Sequence, residues 1–468
     1  MKKNIILVIV AFAMFMEAVD TTVINTAIPV MAKSLKANPI DLKLALISYL
    51  LSLAIFIPIS GWIADKFGAK KTFISAVFLF TLSSIACGST QSLEGLVLAR
   101  IAQGLGGSLT LPVGRLIIIR TCERHELIAK MSIVVMVAAI GMMSGPVIGG
   151  FITTHISWRW IFWVNVPIGL LTIVLANLLL PAMPARPVHK LDKIGFVLFG
   201  SSLAALTFGL SLFSESSETH SYSLMIIAAA ILLMLFYIKH SRSSKHPVVK
   251  MELLAIRTFR ISVIGNLVAR LGFGGLPFLL PLLIQIGLGF SAQLSGLLLA
   301  PIALGVLLVK PLSLSILRLF GYKNLLIINT VLVALSLCSF VLVSYSMSLY
   351  GLAVLTFIYG FLIALQYTAM NSLAYANVHE DNMSSATSIM STVQQLAQSF
   401  GVAVAAILVR IFSGFHEAHL TVRVFHEAFL GMGLLTLCTI PIFLFLKQND
   451  GHELIEIPER TLEGENVS

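Results

Sequence analysis

Apolar stretches of about 20 residues recur along the whole of this 468-residue chain, and no polar block between them could hold a core of its own. A bilayer's hydrocarbon layer is about 30 Å thick and a helix rises about 1.5 Å per residue, so about 20 residues make one crossing. Inside that layer each backbone N–H and C=O must be satisfied within a helix or a closed barrel. Runs of this length predict helices. The charge content agrees: Asp, Glu, Lys and Arg make up 11% of the chain, against about 25% in soluble domains. The longest polar stretches, 239–260 and the tail after Lys447, are far below domain size. A soluble enzyme is excluded.

Apolar runs between charged or Gly/Pro/Asn breaks predict fourteen spans, at about 5–30, 41–63, 72–91, 95–119, 128–153, 160–181, 194–213, 222–240, 261–287, 293–317, 324–344, 349–375, 384–410 and 425–446. With both termini on one side, 22 of the 31 Lys and Arg residues fall on that side and 6 on the other. Arg100, Arg270 and Lys310 lie within spans. This bias predicts cytoplasmic N- and C-termini and a multi-pass protein of the plasma (bacterial inner) membrane. The net charge of +10 therefore reads as a topology signal, and no nucleic acid is expected. The apolar run behind Lys2 and Lys3 continues to Val30 without a small-residue cleavage site, so it reads as the first span and not as a signal peptide.

Neither metal nor cofactor is expected. Cys87, Cys122, Cys338 and Cys438 are scattered, without disulfide or metal spacing. His416, His419 and His426 lack ordinary zinc spacing and read as a solvated outer loop. No phosphate-cradling Gly-rich loop ending in Lys-Ser/Thr is present. ATP-driven transport would need a partner chain; cotransport with protons is the economical alternative, with no ATPase subunit expected.

The two parts of the chain echo each other at an offset of 253 residues: Pro58 falls on Pro311, Phe67-Gly68 on Phe320-Gly321, and Lys70 on Lys323. Two six-helix halves around a central pair of spans would produce this, a frequent transporter plan with the site between repeats. The expected organisation is a six-helix bundle at 1–182, a linker with two extra spans at 183–258, a second bundle at 259–447, and an acidic cytoplasmic tail at 448–468.

The loop after the second span reads Gly61-Trp-Ile-Ala-Asp65-Lys66-Phe-Gly68-Ala-Lys70-Lys71. Gly61 and Gly68 allow close packing and a tight turn. Asp65 can pair with the neighbouring cations or with Arg115 at the inner end of the fourth span, forming a latch that holds in one arrangement and breaks in the other. This segment resembles the loop motif of the major facilitator superfamily. Leu96-Val-Leu-Ala-Arg100-Ile-Ala-Gln103-Gly104 resembles that family's fourth-helix motif. Gly141-Met-Met-Ser-Gly145-Pro146-Val-Ile-Gly149-Gly150 resembles the fifth-helix motif of its antiporters. Asp20-Thr-Thr-Val-Ile-Asn25-Thr-Ala-Ile-Pro29 and Trp158-Arg-Trp-Ile-Phe-Trp-Val-Asn165-Val-Pro167 are similar to first- and sixth-helix patterns of the fourteen-span drug:proton antiporters. The resemblance covers essentially the whole chain. It implies an all-α polytopic membrane protein with the major facilitator fold, two six-helix bundles plus two central linker helices, rocking to expose a central cavity to each side in turn.

Glu17 and Asp20 are three residues apart in the first span, hence on one face, with Thr21 and Asn25 extending the polar arc. An ionised acid at the bilayer centre costs several kcal/mol, so it must pair, take a proton or line water. That suits proton coupling; a neutral acid that only joins helices is the plainer alternative. Arg100, on a face with Gln103, Gly104 and Gly107, needs a carboxylate, and Glu17 or Asp20 is nearest in depth. Gly141 to Gly150 strips side chains from one helix face while Pro146 invites a bend, as a hinge or tight seam would.

In the second half Arg270 and Lys310 are further intramembrane cations, and Arg318 stands where the first half has Asp65. Lys310 can snorkel to the headgroups. Gln366, Asn371, Gln394, Gln395 and Gln398 can line the cavity with Asn25, Gln103, Asn165 and Arg270, or join helices together. The expected function is proton-coupled export of a drug-like or lipophilic small molecule from the cytoplasm. The three intramembrane cations keep an anionic metabolite open as substrate. A proton-coupled importer, a receptor on the same fold and a membrane-embedded enzyme are the rivals. The fifth-helix motif disfavours the first, the absence of a large signalling extension the second, and the absence of a His/Asp or Ser/His constellation the third.

Overall fold

A computed structural model describes residues 2–213, 219–415 and 420–454. His416, His419 and most of the acidic tail lie outside the described residues. Among those described, thirteen helical stretches are long and apolar enough to cross a membrane. One of them, Ala292–Leu342, holds 51 residues, more than two crossings' worth at about 20 residues each. It breaks at Gly321, whose φ of 67° and ψ of 166° are not helical. The result is fourteen crossing helices and no strand among the described residues, as the apolar runs predict.

In chain order these are α1 (Lys2–Leu35), α2 (Lys43–Phe67), α3 (Ala69–Ser89), α4 (Leu93–Thr121) and α5 (Arg124–His155). The sixth, α6, has two pieces, Trp160–Trp163 and Asn165–Leu179. Next come α7 (Lys193–Phe213), α8 (His220–Ser243), and α9, built from Arg257–Phe273, Leu276–Leu282 and a wide turn at Leu283–Gly287. The Gly321 break separates α10 (292–320) from α11 (322–339). The last are α12 (Leu349–Tyr375), α13 (Met383–Gly414) and α14 (Val422–Leu437 with Ile440–Leu444). Several helices run past the predicted spans; α5 starts at Arg124, four residues early. Hydropathy marks membrane depth, whereas Arg, Glu and Lys are good helix formers that extend the rod into the polar layer.

The 253-residue echo has a conformational counterpart. Gly68, between α2 and α3, has φ 89°, and Gly321, between α10 and α11, has φ 67°. Both reversals use the left-handed region that glycine enters freely.

Helices α1 to α6 pack on one another, as do α9 to α14. The two groups meet where α5 lies along α10 and α2 along α13. Helices α7 and α8 pair with each other, and α7 covers the outside of the α2/α13 seam. Fourteen crossings return the end of α14 to the face where α1 begins. The Lys/Arg-rich connections lie on this face, here termed the basic face. At the opposite face the two groups are tied together. Gln285 Nε2 donates to the Thr26 carbonyl at 2.9 Å, the Gln293 N–H to Thr154 Oγ1 at 3.1 Å, and His155 Nε2 lies 3.0 Å from Gln293 Oε1.

Glycines make the central contacts close. Gly141, Gly145 and Gly149, four residues apart, line the face of α5 that meets α1. A methyl on Gly141 would sit 2.9 Å from the Phe15 carbonyl oxygen, and one on Gly145 would sit 2.9 Å from Thr22 Cβ. Gly150 faces α10 instead, where a methyl would come within 3.0 Å of Gln293 Cα, and Gly296 of α10 sits against Pro146. The Gly-rich stretch thus forms two seams, one with α1 inside the first bundle and one with α10 between the bundles.

Candidate functional site

Between the two bundles lies a cavity of about 340 Å³. Its wall is mainly apolar, with Leu46, Met142, Phe273, Leu299, Val306 and Ile363 among the contributors. Polar side chains come from a few places: Thr21, Thr22 and Asn25 on α1, Tyr49 on α2, Arg100 on α4, Arg270 on α9, Tyr359 and Tyr367 on α12, and Gln395 and Gln398 on α13. The described lining contains two arginines and no acid.

Asp20 lies behind this wall, 0% exposed. Arg100 Nη1 donates to Asp20 Oδ2 at 2.6 Å, while Gln103 Nε2 and Asn165 Nδ2 both donate to Oδ1 at 2.8 Å. Three donors from two helices converge on the acid, the complement of a carboxylate that only accepts. Arg100 is fully buried too. It donates through Nε to the Ala45 carbonyl (3.2 Å) and through Nη1 to Gln103 Oε1 (2.8 Å), and its guanidinium carbon stands 4.1 Å from the centre of the Tyr49 ring. Of the two acids that sequence offers to Arg100, the structure pairs it with Asp20.

The backbone explains the convergence. Gly104 and Gly107 follow Arg100 and Gln103 on α4, and each faces α2; a methyl on Gly104 would sit 2.7 Å from the Tyr49 carbonyl oxygen. This approach brings the Ala45 carbonyl and the Tyr49 ring within reach of the guanidinium. On α6 the chain turns at Val164, so Pro167, which has no N–H to donate, falls in the first turn of the Asn165–Leu179 piece, where proline is tolerated. Asn165 is thereby delivered beside Asp20.

Glu17, one turn from Asp20 and 4% exposed, is not part of this network. Its Oε2 is buried with no hydrogen-bond partner among the described residues, and its charged neighbours are Asp20 and Arg115.

In the second bundle Arg270 is 8% exposed. Its Nη1 donates to Gln398 Oε1 at 3.2 Å, and its guanidinium carbon stands 3.9 Å from the Tyr367 ring centre. Gln398 Nε2 donates to the Gly274 carbonyl at 2.6 Å. Here α9 breaks at Gly274-Gly275 ahead of Pro277, and Gly401 of α13 packs against that break. Of the remaining amides, Gln366 bonds to Asn329 (2.7 Å) and Thr330 (3.0 Å) on α11, and Gln394 donates to Asn371 (2.9 Å). Gln103, Asn165, Gln366, Asn371 and Gln394 are not among the described residues lining the cavity, whereas Asn25, Arg270 and Gln398 are. Lys310 is exposed, and helical spacing sets it on the α10 face of Ala303, Val306 and Leu307.

At the basic face Asp65 pairs with Arg120, not with Arg115. The reason is helical rise: Arg115 lies five residues deeper on α4, about 7.5 Å, and reaches toward Glu17 and Tyr375 of α12. The Asp65 carbonyl accepts from the Arg186 N–H at 2.7 Å, Lys70 Nζ donates to the carbonyls of Asn177 and Leu180 at 2.8 Å, and Gly68 packs under Met183. The motif loop therefore clamps the segment that leaves α6. Lys71 is exposed, and a methyl on Gly61 would meet open space.

Tyr49, Ser84, Tyr367, Arg120 and Arg186 join these sites without having been singled out in the sequence. Ser84 accepts from Gln103 (3.3 Å) and Asn165 (3.2 Å), and donates to the Phe162 carbonyl (2.9 Å). Polar and aromatic side chains at mid-span depth, as Tyr49 and Ser84 are, were the available signal.

The sequence profile of the Major Facilitator Superfamily matches residues 10–402 and 263–462. The transport protein named HsrA of Haemophilus influenzae is 35% identical over 451 residues, covering 96% of this chain and 97% of its own. The protein named MdtD of Escherichia coli strain K12, whose name attaches it to multidrug resistance, is 33% identical over 456 residues, covering 97% of this chain and 96% of its own. A D-xylose-proton symporter superposes with a TM-score of 0.69 at 16% identity, over 96% of this chain and 99% of its own. The nucleoside transporter NupG superposes with a TM-score of 0.66 at 14% identity, over 95% and 98%. With fourteen crossing helices, two packed six-helix groups around a central cavity and relatives aligned over nearly its full length, this chain is a membrane transporter that belongs to the Major Facilitator Superfamily.

Proposed function

We propose that the chain is a proton-coupled antiporter that exports an amphipathic, drug-like small molecule from the cytoplasm by alternating access. The Asp20–Arg100 pair carries this reading. Both side chains are buried, the acid is held by three donors, and Arg100 also forms part of the cavity wall. A proton arriving on Asp20 removes the charge-assisted part of its bond to Arg100, so the acid and the cavity wall respond to one event. Glu17, with an oxygen that no donor among the described residues reaches, is the second proton-handling group.

The basic face is cytoplasmic and the membrane is the bacterial inner membrane, in line with the positive-inside bias. The bonds of Gln285, Gln293 and His155 at the opposite face then describe an inward-facing arrangement. Residues 1–182 and 259–447 act as the rocking bodies, joined through 183–258. The Asp65–Arg120 pair, inside the first body, braces the loop that clamps the segment leaving α6, and Gly150 and Pro146, packed against Gln293 and Gly296 of α10, form the seam on which the bodies move. Export is supported by the antiporter-like fifth-helix motif and by the multidrug-resistance name of the MdtD relative. One charge moving through 100 mV supplies about 2.3 kcal/mol, enough for a roughly fifty-fold gradient.

The test uses inverted membrane vesicles acidified by respiration, with candidate compounds added one at a time. A transported compound is expected to collapse the acidification with the wild-type chain and to leave it intact with Asp20→Asn. Equal collapse with both chains contradicts the assignment of Asp20.

A further inference from the structure

We infer that Arg270, with Tyr367 and Gln398, forms an anion-binding subsite in the cavity, and that the transported molecule carries a carboxylate on an apolar body. The inference deepens the exporter reading, since it rests on this cavity being the transport site.

The two arginines of the cavity wall differ in one respect. Arg100 has Asp20 within 2.6 Å. Arg270 makes no ion pair among the described residues; its partners are an amide oxygen and an aromatic face. Its Nε is buried with no hydrogen-bond partner among the described residues. A buried cation left without a counter-charge is costly. Glu17 is not the counter-charge of Arg270, because it lies on α1 with Asp20 and Arg115 as its charged neighbours.

The surroundings fix how a ligand would be met. Tyr367 covers a face of the guanidinium, and Gln398 is oriented by its bond to the Gly274 carbonyl, so it can only offer its oxygen to Nη1. What remains for a ligand is the edge of the fork that includes Nε. That edge matches a carboxylate, which can take two parallel N–H bonds. Much of the rest of the wall is apolar, with Met142, Leu299, Ile302 and Val306 among its residues. A flat or branched hydrocarbon body with one carboxylate satisfies both halves of the site.

The probes are naphthylacetate, naphthylethanol and naphthylethylammonium, which share one ring system and differ in charge. Their binding is measured by equilibrium dialysis against the full-length protein in lipid nanodiscs, with empty nanodiscs subtracted. The wild-type chain is expected to bind the acid at least about ten-fold tighter than the alcohol, the minimum gain from charge-assisted hydrogen bonds. Arg270→Gln is expected to remove that preference, with its folding checked independently by thermal unfolding in the same nanodiscs; Arg270→Lys should retain part of the preference. The inference is overturned if acid and alcohol bind the wild type equally, if Arg270→Gln weakens both alike, if the ammonium compound binds best, or if no probe binds. Naphthylacetate that binds as expected but never collapses vesicle acidification supports the subsite and counts against proton-coupled export.

Discussion

At the scale of single residues, the buried Arg100 of the first bundle has an acid partner, whereas the buried Arg270 of the second makes no ion pair among the described residues. Removing one member of a buried pair leaves the other charge uncompensated. Arg100→Gln is therefore expected to cost about 3–5 kcal/mol of stability. Adding Asp20→Asn should restore part of that loss, because it removes the stranded charge. Thermal unfolding of the purified single and double variants measures the cycle; strictly additive losses would mean that the two side chains do not act as a pair. Much of this site was legible beforehand. Charged residues are so disfavoured in apolar spans that Asp20, Arg100 and Arg270 stand out by type alone. Which acid meets Arg100 was not legible, since Glu17 and Asp20 share a helix face and nearly a depth. Asn165 and Gln103 read as cavity residues because amides at mid-span fit either a wall or a network, and only packing decides. Arg115 and Arg120 posed the same problem for Asp65, resolved by one and a half turns of α4.

At the scale of elements, glycine spacing sets how close the helices come. The four-residue period of Gly141, Gly145 and Gly149 keeps all three against α1, whereas Gly61, in the loop motif, faces open space. Gly145→Ala should push the new methyl into Thr22 and cost about 1–3 kcal/mol, the usual price of overpacking. Gly61→Ala, in contrast, should be neutral or stabilising by up to about 1 kcal/mol, because alanine is the better helix former. Melting temperatures of the two purified variants check this, and an equal loss in both would show that close approach to α1 is not what Gly145 provides. Helix existence was readable from apolar run length, but helix ends were not, because polar helix formers continue α5 outward to Arg124. The junction at Gly321 was foreshadowed by the Phe-Gly echo at 253 residues. Its backbone reversal, matching that at Gly68, gives the echo a physical basis that sequence coincidence alone lacks.

For the whole molecule, two ends and two seams define how the halves can move. The opposite-face contacts of Thr154 and His155 with Gln293 must part if the cavity is to open there. A disulfide between cysteines placed at Thr154 and Gln293 is expected to abolish transport when oxidised, and reductant should restore it. Full activity in the oxidised state would mean that this closure is not part of the cycle. The relation between motion and protons was the least legible from sequence, because one chain of residues specifies contacts but not which of them break together. The most direct measurement compares two modes of transport in proteoliposomes, using a compound that collapses acidification in vesicles. Asp20→Asn should keep substrate exchange without a pH gradient, since the cavity and seams remain, and should lose accumulation driven by one. An Asp20→Asn chain that still concentrates the compound in response to a pH gradient would contradict the assignment of proton coupling to Asp20 and Arg100.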